Sequence, residues 1–308
     1  MHEVTWEEYE AYRSQNRTVV IEEACIPLTG RKQVKQLQPD NFELERTTVW
    51  SFPERGSWAT HQGNYRGNWA PQIPRNLILR YTQPGELVLD PMVGSGTTLV
   101  ECRLLGRNGI GVDVNYHSLM LAFDRLNFEP ANLYEALPES SIRLFHGDAR
   151  CLSCIEDETV DLVATHPPYA GIITYSKSKP VEGDLSRLRS LDSFLDAIEQ
   201  VARECYRVLK PNKHCAILIG DTRRHKHYIP IAYRVMDRFL AAGFILREDI
   251  IKVQWNMKST RDRWSKGEIR DFMLIYHEHL FVFRKPDVGE AVRKFRGSMQ
   301  NGQSIAME

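Results

Sequence analysis

The sequence predicts an α/β fold: a doubly wound, mostly parallel sheet of about seven strands with helices on both faces. Three observations lead there. Short apolar runs alternate with helical patterns from Arg75 to Phe283, the rhythm of strands joined by crossover helices. The stretch Leu87 to Thr98, LVLDPMVGSGTT, is an apolar strand that turns through Gly94-Ser95-Gly96 into a helical pattern. It reads as a ligand cradle, because glycines bend tightly with no Cβ in the way and a helix start aims free N–H groups at the same place. The stretch Val160 to Tyr169, VDLVATHPPY, is a second buried strand, and its two prolines present His166 and Tyr169 in a stiff, extended frame.

In order, residues 1–64 form a polar N-terminal extension with one short helix, Thr5 to Arg13, and little periodicity after it. Residues 65–286 form the main domain. Pro71-Gln72-Ile73-Pro74 leads into a helix from Arg75 to Tyr81, stopped by Pro84-Gly85. The strand Leu87 to Leu89 runs into Asp90, and the helix Leu99 to Leu105 stops at Gly106. A second strand, Gly109 to Val114, carries Asp113, 23 positions after Asp90. In nucleoside-binding sheets an acid at that tip accepts hydrogen bonds from ribose hydroxyls. A helix from His117 to Leu126, a strand from Ile142 to Phe145 before His146-Gly147-Asp148, and the strand Val160 to Ala164 follow. Beyond a polar loop come a helix from Leu191 to Leu209 closed by Lys210-Pro211, a strand from Cys215 to Gly220, and a helix from Ile229 to Ala242. Strands from Ile245 to Val253 and Leu280 to Phe283 complete the set, and residues 287–308 are a tail. Ligands of such sheets bind beyond the carboxyl ends of the strands, where Asp90, Asp113, Asp148, His166 and Asp221 all fall.

Composition narrows the function classes. Lys+Arg and Asp+Glu both number 40, so a polyanion would have to be met by local clusters and not by a global field. The six cysteines lie mostly in apolar runs and read as reduced core residues of a cytosolic protein. Cys151-x-x-Cys154, with His146 nearby, lacks a second ligand pair, so no metal is expected. With no amino-terminal apolar segment and no apolar run of transmembrane length, neither secretion nor membrane insertion is expected.

The glycine turn has no P-loop lysine, and Leu99 stands where a nicotinamide fingerprint needs its third glycine. The deciding residues are Asp90-Pro91-Met92-Val93-Gly94-Ser95-Gly96-Thr97-Thr98 and His166-Pro167-Pro168-Tyr169, about 70 residues apart and each following a strand. By them, the stretch from Trp69 to about Lys285 resembles the S-adenosylmethionine-dependent amino methyltransferases of DNA, which methylate N4 of cytosine or N6 of adenine. Their cofactor motif is similar to the first run, and their catalytic motif is Asp, Asn or Ser before Pro-Pro-Tyr or Pro-Pro-Phe. The resemblance implies the class I, Rossmann-like methyltransferase fold, S-adenosylmethionine as cofactor and double-stranded DNA as substrate. It also implies a cytoplasmic, nucleoid-associated enzyme and a cognate restriction endonuclease as partner. By resemblance Asp90, Pro91, Gly94, Gly96 and Thr97 shape the methionine side of the cofactor pocket, Asp113 holds the ribose and Asp148 faces the adenine. The helix Arg75 to Tyr81 matches the family's amino-terminal cofactor motif, with Gln72 beside it.

An exocyclic amine is a poor nucleophile because its lone pair is delocalised into the ring, and acceptors on its protons localise that pair. In the family the first motif residue and the first proline's carbonyl supply them, which implies His166 and Pro167 here. Pro168 completes the frame, and Tyr169 would stack on a base flipped out of the helix. Histidine departs from the family pattern. A neutral imidazole has one acceptor nitrogen, which likens it to the serine of cytosine-N4 enzymes more than to the aspartate of adenine-N6 enzymes. The expected product is N4-methylcytosine. Adenine N6, an RNA base, a protein glutamine and a non-catalytic cofactor- and DNA-binding subunit stay open as alternatives. With no Pro-Cys dipeptide in the chain, a cysteine nucleophile for C5 chemistry is not expected. Two basic stretches suit phosphate contact: Arg223 and Arg224 after the fifth strand, and Lys258, Arg261, Arg263 and Lys266 with Trp255 and Trp264 interleaved. The second lies in a target-recognition segment expected over residues 252–277.

Overall fold

The computed structural model describes residues 1–21, 24–65, 67–132, 134, 136–168, 183–185, 188, 190–255 and 271–299. The extension contributes β1 (His2–Val4), α1 (Trp6–Gln15), the hairpin β2 (Thr18–Ile21) and β3 (Ala24–Pro27), β4 (Lys32–Val34) and β5 (Val49–Ser51). Then come α2 (Gln72–Tyr81), β6 (Leu87–Asp90), α3 (Thr97–Leu105), β7 (Asn108–Asp113), α4 (Tyr116–Leu126), β8 (Phe128–Pro130), β9 (Ile142–His146) and β10 (Val160–Thr165). The last part holds α5 (Leu191–Val208), β11 (Leu209–Ile219), β12 (Thr222–Arg224), β13 (His227–Ile229), α6 (Ile231–Ala241), β14 (Ile245–Val253), β15 (His277–Arg284) and a 3-10 turn at Val292–Ser298.

All seven strands expected from the sequence lie in one sheet of nine, in the order β1-β9-β7-β6-β10-β11-β15-β14-β5. β6, β7, β9, β10 and β11 run parallel. β15 is antiparallel between β11 and β14. The chain leaves β6 toward β7 on one side and meets β10 on the other, so the switch point of the winding lies between the two motif strands. Successive strand residues face opposite sides. Val88, Leu162, Ala216, Leu218 and Leu280 enter the core on one face. Leu89, Val163, Cys215, Ile217 and Phe281 enter the core on the other, under α5 and α6. α5 buries Phe194, Leu195, Ile198, Val201, Ala202, Cys205 and Val208, a stripe at helical spacing, and Ser190 caps its start by accepting the Ser193 N–H at 3.0 Å.

The structure corrects the sequence reading in four places. Beyond its one expected helix the extension supplies strands to the sheet: β1 pairs with β9, and β5 with β14, closing both edges. These strands have three residues each, too few to display a period, and their pairing partners select them. α5 ends at Val208, directly before the expected stop, but Lys210-Pro211 is not a loop: it lies inside β11, where the ladder to β10 slips between Leu209 and His214 and Asn212 takes φ +60°. A strand tolerates proline at such an irregularity because no ladder N–H is required there. Residues 222–229 form a hairpin, and α6 begins after it, at Ile231. Of the six cysteines, Cys102, Cys205 and Cys215 are buried, whereas Cys25, Cys151 and Cys154 are exposed; all six are free thiols. No described helix is long and apolar enough to cross a membrane.

Candidate active site

Asp90, at the tip of β6, is 3% exposed and accepts three hydrogen bonds. Oδ1 takes the Thr165 hydroxyl at 2.9 Å and the Met92 N–H at 3.2 Å, and Oδ2 takes the Thr98 hydroxyl at 2.5 Å. Burial pushes its carboxyl up to about 6, against the pull of those bonds. One side chain thereby joins the end of β6, the start of α3 and the residue before His166. Asp90 is a tie between the two motifs, with its acceptor capacity directed inward.

Between Asp90 and α3, Pro91 is buried, Gly94 takes φ +50° and Gly96 takes φ +85°. A Cβ on Gly96 would lie 3.0 Å from the Cβ of Ala122 on α4, and one on Gly94 would lie 3.1 Å from the Tyr65 ring. The Gly94 N–H donates to Asp113 Oδ2 at 2.8 Å, and the Asn115 N–H to Asp113 Oδ1 at 2.8 Å. Burial raises Asp113 to about 6 against these two bonds. A carboxylate has about four lone-pair sites, so the tip of β7 keeps acceptor capacity beyond its two backbone donors.

Asp148, beyond β9, is held by Arg150, whose Nε lies 3.0 Å from both carboxylate oxygens. Burial raises its pKa, but the Arg150 hydrogen bonds and charge prevail and the net direction is down. Gly183, at φ +85°, lies against it, since a Cβ there would be 2.8 Å from Asp148 Oδ2. Gln72 is turned elsewhere: its amide donates to the Glu54 carbonyl at 2.8 Å and accepts from the Gly56 N–H at 3.2 Å.

At the tip of β10, His166 stacks on Trp69, ring centroids 6.1 Å apart and planes at 26°. Its Nε2 is 3.8 Å from Glu278 Oε1, and Lys252 Nζ is 2.8 Å from the other oxygen of the same carboxylate. Burial lowers the imidazole pKa, and Lys252 adds to that, while Glu278 and the Gly67 backbone oppose it. The net direction is below the usual histidine range, so the ring is neutral at pH 7. Pro167 is buried and Pro168 exposed, and Tyr169 lies outside the described residues.

Sequence reasoning missed Tyr65, Asn68, Trp69, Glu278 and Lys252. The first three belong to the segment just after the extension, which folds over the glycine turn: the Thr97 hydroxyl bonds Asn68, and the Tyr65 ring covers Gly94. Its anchor is Glu101 on α3, fully buried, which accepts from Trp58 Nε1 at 2.7 Å, His61 Nε2 at 2.7 Å and Arg75 Nη1 at 2.8 Å. One signal was available. Trp50, Trp58 and Trp69 are half of the chain's six tryptophans, crowded into a polar stretch that alone has no core to bury them.

Of the basic residues, Arg224 is exposed on the β12–β13 hairpin. Arg223 is committed: its guanidinium lies over the Tyr228 and Phe272 rings, and Nε donates to the Met273 carbonyl at 3.1 Å. Asp221 is committed too, accepting the Ala232 N–H at the start of α6 at 2.7 Å and the Tyr228 hydroxyl. Lys258, Arg261, Arg263 and Lys266 lie outside the described residues. Among the described residues no three His, Cys, Asp or Glu side chains gather as metal ligands.

A family model described as DNA methylase matches residues 7–124 and 160–305 of the chain, and one described as the RMKL-like methyltransferase domain matches residues 77–207. The Type II methyltransferase M.HpaI of Haemophilus parainfluenzae is 45% identical over 83 residues, 27% of this chain and 26% of that protein. M2.MboI of Moraxella bovis is 35% identical over 82 residues, 27% of this chain and 30% of its own. A tRNA (guanine(10)-N2)-dimethyltransferase of Methanothermobacter thermautotrophicus is 30% identical over 106 residues, 34% of this chain and 29% of that protein. These matches span about a quarter to a third of each relative's length. Among solved structures, a SAM-dependent methyltransferase of Methanosarcina mazei superposes with a TM-score of 0.45 at 14% identity, covering 68% of this chain and 97% of that one.

Proposed function

We propose that this chain, which belongs to the DNA methylase family, methylates an exocyclic amine of a base in duplex DNA, N4 of cytosine, with S-adenosylmethionine as donor. When bound, S-adenosylmethionine supplies an electrophilic methyl group. The residues present suit it. Asp113 retains acceptor capacity for ribose hydroxyls, and Asp148 stands at the neighbouring strand tip. The left-handed turn at Gly94 and Gly96 leads into a helix whose first N–H groups have no side-chain cap.

The observation that carries the reading is His166: an imidazole with both ring nitrogens buried, kept neutral by that burial, whose preceding residue is hydrogen-bonded to the carboxylate at the cofactor turn. A neutral imidazole and the Pro167 carbonyl accept the two protons of an amine, localise its lone pair and orient it for attack. Tyr169 stacks on the flipped base. The proton lost from the amine leaves through His166. Nucleosides released from unmethylated duplex DNA, after incubation with the protein and S-adenosylmethionine, are expected to contain N4-methylcytosine by mass spectrometry. N6-methyladenine in its place would overturn the choice of base. Methyl transfer to tRNA alone would overturn DNA as substrate, a second reading favoured by the tRNA-modifying relative.

The hairpin β12–β13 leaves β11 beside Asp221 and exposes Arg224, His225, Lys226 and His227. His225 and Lys226 take φ +50° and +67°, a turn that glycine and asparagine usually occupy. We assign this basic tip to the DNA backbone. Arg224→Ala with Lys226→Ala is expected to lower the slope of log Kd against log salt by about 2, roughly one for each phosphate no longer neutralised, and to weaken all sequences alike. An unchanged slope, measured by fluorescence anisotropy on a labelled duplex, would remove the hairpin from the interface.

A further inference from the structure

We infer that Glu278 is a positioning residue for His166, holding the imidazole proton on Nε2 so that Nδ1 carries the lone pair that accepts from the amine. The inference rests on the acceptor role proposed above for His166. It begins from topology. β15 runs against its neighbours, so its first residues, and not its last, arrive at the edge where β6, β7 and β10 end. Register then pairs Glu278 with Lys252 on β14, and Ile219 on β11 with His279. Glu278 is thereby delivered, 4% exposed, to the tip of β10.

Among the described residues, each oxygen of Glu278 meets a different partner. Oε2 meets Lys252 Nζ at 2.8 Å, which keeps the carboxylate from standing as an isolated buried charge. Oε1 faces His166 Nε2 at 3.8 Å. That separation is longer than a hydrogen bond, and pairs of this kind tighten when a substrate fills the site. A carboxylate accepts and never donates, so the nitrogen that faces it is the one that holds the proton. In a neutral ring the other nitrogen is then the acceptor. Trp69, stacked on the ring, sets the plane in which that lone pair points. Among the described residues, the groups around His166 include Glu278 and Lys252 from the sheet, and Trp69 with the Gly67 backbone from the overlying segment.

Two single variants carry opposite expectations. Glu278→Gln removes the negative charge that favours the imidazolium, so the acid limb of the methyl-transfer rate moves to lower pH and kcat falls about 10- to 100-fold, with the cofactor Kd within about twofold of the parent. Lys252→Met removes the opposing positive charge, so the acid limb moves to higher pH. A side chain that only supports packing would not shift the limb in opposite directions. If both variants keep the parent's acid limb, the inference is wrong.

A second measurement is independent of turnover. In protein carrying nitrogen-15 histidine, the His166 ring, assigned by its loss in His166→Asn, is expected to show the Nε2–H tautomer. The double variant Glu278→Leu with Lys252→Met, which leaves no lone charge behind, is expected to lose that preference. An unaltered tautomer there would assign the proton's position to the Gly67 backbone and overturn the role of Glu278. A protein with the expected tautomer but no methyl transfer to any nucleic acid would instead overturn the proposed function and leave the positioning role standing.

Discussion

Asp113→Asn is expected to weaken S-adenosylmethionine binding about 100-fold, because hydrogen bonds from hydroxyls to an ionised carboxylate contribute roughly 1.5–3 kcal/mol each and an amide replaces them poorly. The same change should leave the stability of the ligand-free protein at pH 7 within about 1 kcal/mol of the parent. Two effects offset there. The carboxyl stands at about 6 in the fold, against roughly 3.9 for an aspartate in water, so its ionisation at neutral pH costs on the order of 3 kcal/mol, which the amide avoids. The amide has one oxygen for two backbone donors, the N–H groups of Gly94 and Asn115, and leaving one of them unmet costs about 1–3 kcal/mol.

The pH dependence follows from the same shift. Between about 4 and 6 the folded protein binds a proton at Asp113 that the unfolded chain does not. Stability therefore rises as pH falls through that window. Asp90 contributes in the same direction, being raised to about 6 as well. Melting temperatures at pH 5 and pH 7.5 should differ less in Asp113→Asn than in the parent, and titration calorimetry gives the affinity. Parental affinity in the variant would show that the tip of β7 does not hold the ribose.

His166→Ala is expected to reduce methyl transfer about 10²- to 10³-fold, the range for removing one hydrogen-bonding partner of a reacting group, with cofactor Kd within about threefold. His166→Asn keeps an acceptor oxygen in a side chain of similar reach and should recover about a tenth of the parental rate. The parental rate should rise with pH through the depressed pKa of His166, because only the neutral ring accepts, and that acid limb should vanish in His166→Asn. Single-turnover rates between pH 5 and pH 8 test all three. An alanine variant as fast as the parent would leave the Pro167 carbonyl as the sole acceptor.

Asp90 shows how a motif can be legible while its workings are not. From Gly94, Gly96 and the strand before them, the residue and its neighbours read as a ligand cradle. That its carboxylate is spent on Thr98, Thr165 and Met92 depends on β10 lying beside β6, and the 75 positions between Asp90 and Thr165 conceal that pairing. Gln72 is similar: its position at the start of α2 was evident, but its amide turns to the backbone of Glu54 and Gly56 in a segment with no readable period. The hairpin after β11 escaped because its turn carries His225 and Lys226 at positive φ, where glycine or asparagine would have announced it.

By itself the sequence determined the alternation of strands and helices, the glycine turn, the acids at Asp90, Asp113 and Asp148, and the stiff His166-Pro167-Pro168 tip. All are local: hydrophobic period, backbone freedom and proline geometry act over a few residues. Only the tertiary structure decided what surrounds them. Folding of the end of the extension and the residues after it over the turn, with Glu101 holding Trp58, His61 and Arg75, brought Tyr65, Asn68 and Trp69 to the site. The reversal of β15 brought Glu278 within reach of His166. Such partners are chosen by strand register and by the need of buried charges for counter-charges, and both join residues far apart in the chain.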